Sequence, residues 1–285
     1  MLPMKTVPVL AGLLMAAAAI SHVQAGPAET MAVSIRLAAE VGGVPFSCGA
    51  TFEGIGTTKS SVRMTDFRLY VSNVRLTRAD GTAVPVTLAQ DGMWQLDNVA
   101  LIDFEDATGS CASGTPQTRS VIEGEIPAGT YTGLTFDLGL PFDKNHRDPA
   151  VQPSPLNLTR LFWSWNAGYK FMRLDMRTTG MPNGWVIHLG STACNGATAT
   201  TAPGECTFPN RAPITIPHFN VLTDTVVMDV AALLSGSDVN SNQERTAVGC
   251  MSAQNDAECG PLFERLGLPF GDRPATAQQV FTVRR

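Results

Sequence analysis

The sequence predicts an all-β fold, an antiparallel β-sandwich or barrel-like domain with few short helices and with disulfides. Apolar and polar residues alternate with a period of two in many short segments, a pattern typical of strands with one buried face. The chain contains 26 glycines and 19 prolines, which favour frequent turns between those strands. Six cysteines indicate that covalent cross-links support the fold.

The alternation recurs along most of the chain. In one example, the apolar residues Val33, Ile35 and Leu37 alternate with small or polar residues. Residues two apart on a strand lie on the same face of the sheet, so these three would share the buried face. Many short strands with turns between them are typical of sandwiches and barrels. The predicted strands cover 32–38, 67–77, 84–88, 94–104, 121–126, 131–140, 170–177, 185–189, 212–219, 225–230 and a closing segment at 279–283.

Turn residues separate these segments. Asp80 and Gly81 follow one apolar segment and precede the next, which predicts a hairpin. A second turn is predicted at 127–130. Only two short helices are predicted, at 230–234 and 261–266, and no internal repeat or long linker divides the chain.

The first residues have the features of an export signal. Lys5 precedes an apolar run from Val7 to Ile20, and Ala25 stands where a signal peptidase would cleave. The run is shorter than the roughly 20 residues that a membrane-spanning helix needs, and no later apolar run reaches that length. We therefore expect residues 1–25 to be a cleaved signal peptide, residues 26–285 to form a single β domain, and the protein to be periplasmic.

Charge and motifs exclude several classes of protein. The net charge of −5 offers no basic surface for nucleic acid. The chain has no GxSxG, P-loop or dinucleotide-binding motif. The acid pairs Asp103/Glu105 and Glu123/Glu125 would share a strand face, which leaves a hydrolase as a minor alternative. The sequence therefore favours a protein that is not an enzyme.

All the cysteines lie beyond the predicted signal peptide. An even number of cysteines in an oxidising compartment predicts disulfides, and the absence of a CxxC spacing argues against a thiolate metal site. The sequence alone does not fix the pairing. The simplest arrangement joins sequence neighbours and leaves a long-range bridge, which gives the pairs Cys194 with Cys206, Cys250 with Cys259, and Cys48 with Cys111.

Three histidines beyond the signal peptide could bind a metal. They are His146, His188 and His218, and imidazole is a good ligand for copper and zinc. No HxH or HExxH spacing joins them, so the spacing alone favours the alternative of three unrelated, hydrogen-bonded histidines. Met172 and Met176 offer soft sulfur ligands, but methionines on an apolar strand face more often fill the core.

An aromatic segment stands out at 161–165, where Trp163 and Trp165 flank Ser164. Large rings of this kind often supply ordinary core packing. If they were exposed, they would suit stacking on sugars. The alternative function is therefore a secreted β-sandwich that binds carbohydrate or acts in adhesion, with no metal.

Taken in order along the chain, many runs resemble the MbnP-like family, also called metallo-mystery pair system four-Cys motif proteins. The most distinctive runs are Leu161–Trp165, Gly168–Phe171 and His188–Thr192. The late cysteines resemble the four in the family's name. The other matching runs are Phe46–Gly49, Asp66–Leu76, Trp94–Asp97, Asp103–Asp106, Leu138–Phe142, Asn145–His146 and Pro155–Asn157.

This resemblance implies a function that the residues alone do not. Members of the family are paired with a MauG-like dihaem c-type cytochrome that oxidises a tryptophan to kynurenine, and the modified protein binds copper. Carried over to this sequence, the modified residue is Trp163 or Trp165, with Trp163 favoured. The copper ligands implied are His188 and His146, with His218 as a further candidate.

Overall fold

The structure is a computed structural model that describes residues 1–3, 29–164, 167–196, 198 and 202–285. The predicted signal peptide, apart from its first three residues, and Trp165 lie outside this range. Within it, no helix is long and apolar enough to cross a membrane.

Strands dominate the described residues, and the helices are short. The strands are β1 (Thr30–Val41), β2 (Val44–Pro45), β3 (Phe52–Ile55), β4 (Ser60–Arg78), β5 (Ala83–Pro85), β6 (Thr87–Leu88), β7 (Gln95–Leu96), β8 (Val99–Asp103), β9 (Val121–Pro127), β10 (Tyr131–Leu138), β11 (Phe162–Ser164), β12 (Gly168–Tyr169), β13 (Met172–Thr178), β14 (Trp185–Leu189), β15 (Thr192–Asn195), β16 (Glu205–Phe208), β17 (Ala212–Pro217), β18 (Thr225–Asp229) and β19 (Phe281–Arg284). The α-helices are α1 (Phe142–Asn145), α2 (Val230–Leu234) and α3 (Cys259–Leu266), and 3-10 turns cover Gly109–Cys111 and Thr159–Leu161.

A six-stranded sheet forms one layer of the domain. Its strand order is β19-β18-β1-β9-β6, with β2 added to β1 as a hairpin. The pair β1 and β18 is parallel, and the other pairs are antiparallel. Alternate residues of β1 from Val33 to Val41 are buried, so the predicted period of two does mark the core face.

A nine-stranded sheet forms the other layer, and the long strand β4 is its spine. Strand β13 pairs with the first half of β4, and β10 pairs with the second half. Both lie on the same edge of β4, because Arg68 and Val71 each pair with β8 on the opposite edge. Consequently β13 with β14 and β10 with β17 follow one another along β4.

The core lies between the two sheets. The rings of Phe136 on β10 and Phe281 on β19 meet edge to face at 5.5 Å and join the layers. Trp185, Tyr70 and Phe67 are among the largest fully buried side chains. One apolar cluster includes residues from Val33 to Phe281, which confirms the predicted all-β sandwich.

Two predicted strands are divided in the structure. The segment at 94–104 forms the hairpin β7–β8, because Asp97 adopts a positive φ of 52° and reverses the chain. The segment at 84–88 crosses between the layers, since β5 pairs with β4 and β6 pairs with β9. The predicted hairpin at Asp80 and Gly81 and the helix at 230–234 are present.

Three disulfides cross-link the described residues. The bridges are Cys48–Cys111, Cys194–Cys206 and Cys250–Cys259. This is the pairing of sequence neighbours with one long-range bridge that the sequence analysis gives as the simplest arrangement.

Candidate metal centre

His188 lies on the outer face of β14 and is buried. Trp185, Ile187 and Leu189 of the same strand point into the core, as the period of two predicts. The His188 Nε2 atom lies 2.8 Å from Asp175 Oδ1. Its Nδ1 atom is buried and has no hydrogen-bond partner among the described residues. A buried nitrogen without a partner is costly, so this atom fits a ligand better than it fits packing alone.

Asp175 determines which nitrogen of His188 is available. Burial opposes ionisation of Asp175, but hydrogen bonds and charges from His188 and Arg173 outweigh burial and keep its pKa below the ordinary value. The ionised carboxylate accepts a hydrogen bond from Nε2–H, and in that tautomer the lone pair of the imidazole is on Nδ1. A carboxylate behind a histidine is the usual arrangement in protein metal sites, where it orients the ring and raises its basicity.

A layer of buried charges continues from Asp175 across the outer face of the sheet. Register places His188, Arg173, Arg68 and Asp103 opposite one another on β14, β13, β4 and β8. Opposite residues of antiparallel strands share a face, so these side chains form one row. Asp66 accepts a hydrogen bond from Arg68 Nε at 2.8 Å and forms an ion pair with Arg173, whose Nε lies 3.2 Å from Asp66 Oδ2.

Asp103 ends this row and is held in a protonated state at neutral pH. Burial raises its pKa to about 8, the charge of Arg68 opposes that rise, and the nearby Glu105 adds to it. Asp103 and Glu105 are both fully enclosed. Of the two acid pairs that left a hydrolase as an alternative, Asp103 with Glu105 is therefore an interior pair that water and substrate do not reach.

The pKa of Asp103 predicts how stability depends on pH. Between its ordinary value of 3.8 and about 8, Asp103 binds a proton in the folded state and loses it on unfolding. This contribution to stability is therefore full below pH 3.8 and is lost as the pH rises toward 8. In the wild type, the free energy of unfolding should therefore fall as the pH rises. We expect Asp103→Asn to reduce this fall by up to about 1.4 kcal/mol per pH unit. Urea unfolding between about pH 5 and about pH 7.5 measures this slope, and equal slopes for the two proteins would contradict a raised pKa.

Trp163 covers His188 from the short hairpin β11–β12. Its ring centroid lies 6.3 Å from that of the imidazole. The indole is half-buried and also lies against Gly190, where an added Cβ would come within 2.5 Å of the ring. A side chain at 190 would displace the ring, so the glycine allows Trp163 to sit beside His188.

The same hairpin contacts the segment that carries His146. The backbone N–H of Tyr169 donates to Asn145 Oδ1 at 2.8 Å, and Asn145 Nδ2 donates to Ser191 Oγ at 3.3 Å. Gly168 has a φ of 78° and packs so closely on Asn145 that a Cβ would overlap its amide. Asn145 therefore fixes the hairpin between the loop of His146 and the end of β14.

His146 itself is buried beside a disulfide. Its Nε2 atom lies 3.1 Å from Asn145 Nδ2 and 3.3 Å from Cys206 Sγ. The ligand atoms of His146, Cys194 and Cys206 all lie within 4.8 Å of one another. The two sulfurs are bonded to each other in this state.

His218 does not join His188. It is exposed and directly follows β17, whose last residue Pro217 pairs with Gly133 of β10 and so is level with Thr77 of β4. His188, in contrast, is level with Arg68 of β4. Nine positions along a strand correspond to about 30 Å. Two nitrogen ligands of one ion lie within about 4 Å of each other. The register of the sheet therefore separates His218 from His188.

The methionines considered as soft ligands belong to the core. Met172 and Met176 are buried on the inner face of β13, in the same apolar cluster as Leu174. The packing interpretation is therefore the correct one for both. Arg173 and Asp175 alternate with these methionines in the sequence, and this alternation of charged and apolar residues is the signal for a strand whose second face is also occupied.

Comparison with known proteins assigns the chain to one protein family. A family model described as MbnP matches residues 30–252. Among solved structures, the chain is similar to MbnP from Methylosinus trichosporium, with 30% sequence identity and a TM-score of 0.80, over 90% of this chain and 98% of that chain. No curated protein matches it. The range matched by the family model contains His146, Trp163 and His188.

Proposed function

This chain belongs to the MbnP family, and we propose from that premise that it is a periplasmic copper-binding protein, not an enzyme, that takes part in copper handling. A partner MauG-like dihaem c-type cytochrome would oxidise Trp163 or Trp165 to kynurenine before copper binds. The observation that carries the proposal is the buried Nδ1 of His188, which has no hydrogen-bond partner in the described residues and belongs to an imidazole whose ring centroid is 6.3 Å from that of Trp163.

The residues at this place fit copper. A neutral imidazole held by an ionised carboxylate is a good ligand for Cu(I) and Cu(II). His188 would supply Nδ1, and Asp175 would orient it without touching the metal. His146 would supply a second imidazole from the segment that Asn145 ties to the β11–β12 hairpin.

Oxidation of tryptophan would add ligand atoms that indole lacks. Indole offers only an N–H donor, whereas kynurenine carries an aromatic amine and a ketone. Trp163 is the better candidate because its ring already contacts His188. Trp165 lies outside the described residues and remains the second candidate.

The alternative of a sugar-binding module receives less support from the site. Stacking on a sugar needs a ring with a free face. The ring of Trp163 is half-buried against His188 and Gly190 instead. A metal-associated function also agrees with the family, while a glycan-binding function has no corresponding observation among the described residues.

The proposal is tested by making the mature chain with and without its dihaem cytochrome. We expect a gain of one oxygen and a loss of one carbon at Trp163 only when the cytochrome is present, and stoichiometric copper only in that sample. Intact mass, peptide fragmentation and copper analysis measure these outcomes. Trp163→Phe should then remain unmodified and copper-free, while Trp165→Phe should behave as the wild type.

The reverse result for the two variants would move the modified residue to Trp165 and leave the proposal standing. An unmodified chain without copper, despite an active cytochrome, would contradict the proposal. Glycan-array binding by that unmodified chain would then support the alternative function.

A further inference from the structure

The three disulfides differ in how accessible they are. Cys48, Cys111, Cys250 and Cys259 are buried in the domain, each with 2% exposure or less. Cys194 and Cys206 are half-buried on β15 and β16, which form a separate two-stranded sheet. A reductant can therefore reach this bridge without unfolding the sandwich, whereas the other two are enclosed.

The hairpin would keep the two thiols together after reduction. Cys194 and Cys206 are direct cross-strand partners, and their Cα atoms are 3.8 Å apart. The flanking pairs Thr192 with Phe208 and Asn195 with Glu205 continue the same register. Backbone pairing, not only the S–S bond, thus places the sulfurs on one side of the hairpin.

His146 completes a group of three ligands at this position. Its Nε2 atom lies 3.3 Å from Cys206 Sγ, and all three ligand atoms lie within 4.8 Å of one another. Among the described residues, no other group of three histidine, cysteine or acidic side chains comes this close together. The disulfide that a reductant can reach is therefore also the one that lies against a histidine.

We propose that reduction of the Cys194–Cys206 disulfide creates a second metal site, in which both thiolates and the His146 imidazole bind Cu(I). A dithiol reductant would break the S–S bond by thiol–disulfide exchange, becoming a disulfide itself as the protein gains two thiols. Binding of the ion then releases the two thiol protons to solvent. Thiolate sulfur selects soft ions, and three ligands suit Cu(I) better than a structural zinc, which takes four.

This site goes beyond the proposed function because it needs no kynurenine and no contact with His188. The two share only His146, which the oxidised bridge leaves to the other site. In an oxidising compartment the disulfide would stay formed and the thiolate site would be absent. The site would form only where a dithiol reductant is present. The disulfide would thus act as a redox gate on copper binding.

The test uses the mature chain made without the cytochrome, so that its tryptophans are unmodified. The chain is treated with dithiothreitol, desalted without oxygen, and titrated with Cu(I) in competition with bicinchoninate. Alkylation followed by peptide mass analysis identifies which cysteines were reduced. We expect selective reduction of Cys194 and Cys206, one tightly bound Cu(I) per reduced chain, and none in the oxidised chain.

Variants separate this site from other sulfur chemistry. The double variant Cys194→Ser/Cys206→Ser should not bind Cu(I) under reducing conditions, and His146→Ala should bind it at least about tenfold more weakly. His218→Ala is the matched control, because His218 is exposed and far along the sheet, and it should bind as the wild type. Circular dichroism checks that each variant is folded.

Equal Cu(I) binding by reduced and oxidised wild type would overturn the proposal. Reduction of the buried bridges in preference to Cys194–Cys206 would overturn it as well, and so would wild-type affinity in His146→Ala. None of these results bears on kynurenine formation, since the cytochrome is absent. Conversely, failure of kynurenine formation in the co-expressed protein would leave this titration unaffected.

Discussion

His188→Ala is expected to remove copper from the protein after modification by the cytochrome. The variant loses a buried imidazole nitrogen that has no hydrogen-bond partner in the described residues, on a ring that packs against Trp163. Asp175→Asn should retain copper but bind it about 10–100-fold more weakly, because the amide no longer supplies the charge that fixes the ring and raises its basicity. Competition titration of the copper-loaded proteins with a chelator measures both affinities.

Controls distinguish a ligand from a structural residue. His218→Ala should leave affinity unchanged, because the register of the sheet places His218 far from His188. Peptide mass analysis should show kynurenine in every variant, so that a loss of copper is not a loss of modification. Full copper occupancy in modified His188→Ala would refute the role of Nδ1, and equal affinity in Asp175→Asn would refute the carboxylate's role in positioning it.

The sequence predicts the sandwich because its pattern is local. Strand residues two apart share a face, so the inward orientation of Trp185, Ile187 and Leu189, and hence the outward orientation of His188, follows from alternation alone. Short helices follow equally from local composition. The division of 94–104 into a hairpin does not, since it depends on one positive φ at Asp97.

The site is less predictable because it depends on pairing between distant segments. Nothing near His188 in the sequence indicates that Asp175 lies behind it, since the register of β13 with β14 decides this contact. His146 and Cys206 are 60 positions apart and meet only through the fold. Conversely, the registers of β17 with β10 and of β10 with β4 separate His218 from His188. Residue type therefore identifies candidate ligands, and strand register selects among them.

Arg68→Met, in the row of buried charges next to His188, is expected to lower the free energy of unfolding strongly. Arg68 is 3% exposed, donates twice to Asp66, and lies 3.9 Å from Glu105. Arg68→Met would remove the guanidinium and leave buried carboxylates short of a cation. Breaking a buried ion pair on one side costs about 3–5 kcal/mol, so we expect a loss of that size in the free energy of unfolding.

Arg75→Met is the matched control for this change. Arg75 lies on the same strand β4 but is exposed, so the identical substitution should alter stability by no more than about 0.5 kcal/mol. Urea unfolding of the unmodified proteins measures both values. A cost for Arg68→Met as small as that of the control would show that the buried carboxylates do not depend on Arg68.

The cost of Arg68→Met should also depend on pH. Arg68 opposes the rise in the pKa of Asp103, so its removal raises that pKa further and makes ionised carboxylates in the interior still less favourable. A group whose folded pKa is raised loses its stabilising contribution as pH increases. We therefore expect the cost to be smallest and constant below about pH 7, where Asp103 binds a proton in both proteins, and to grow as the pH rises above about 8, where only the wild type can ionise Asp103 beside a cation. A pH-independent cost would instead assign the effect to lost packing of the arginine's methylene groups.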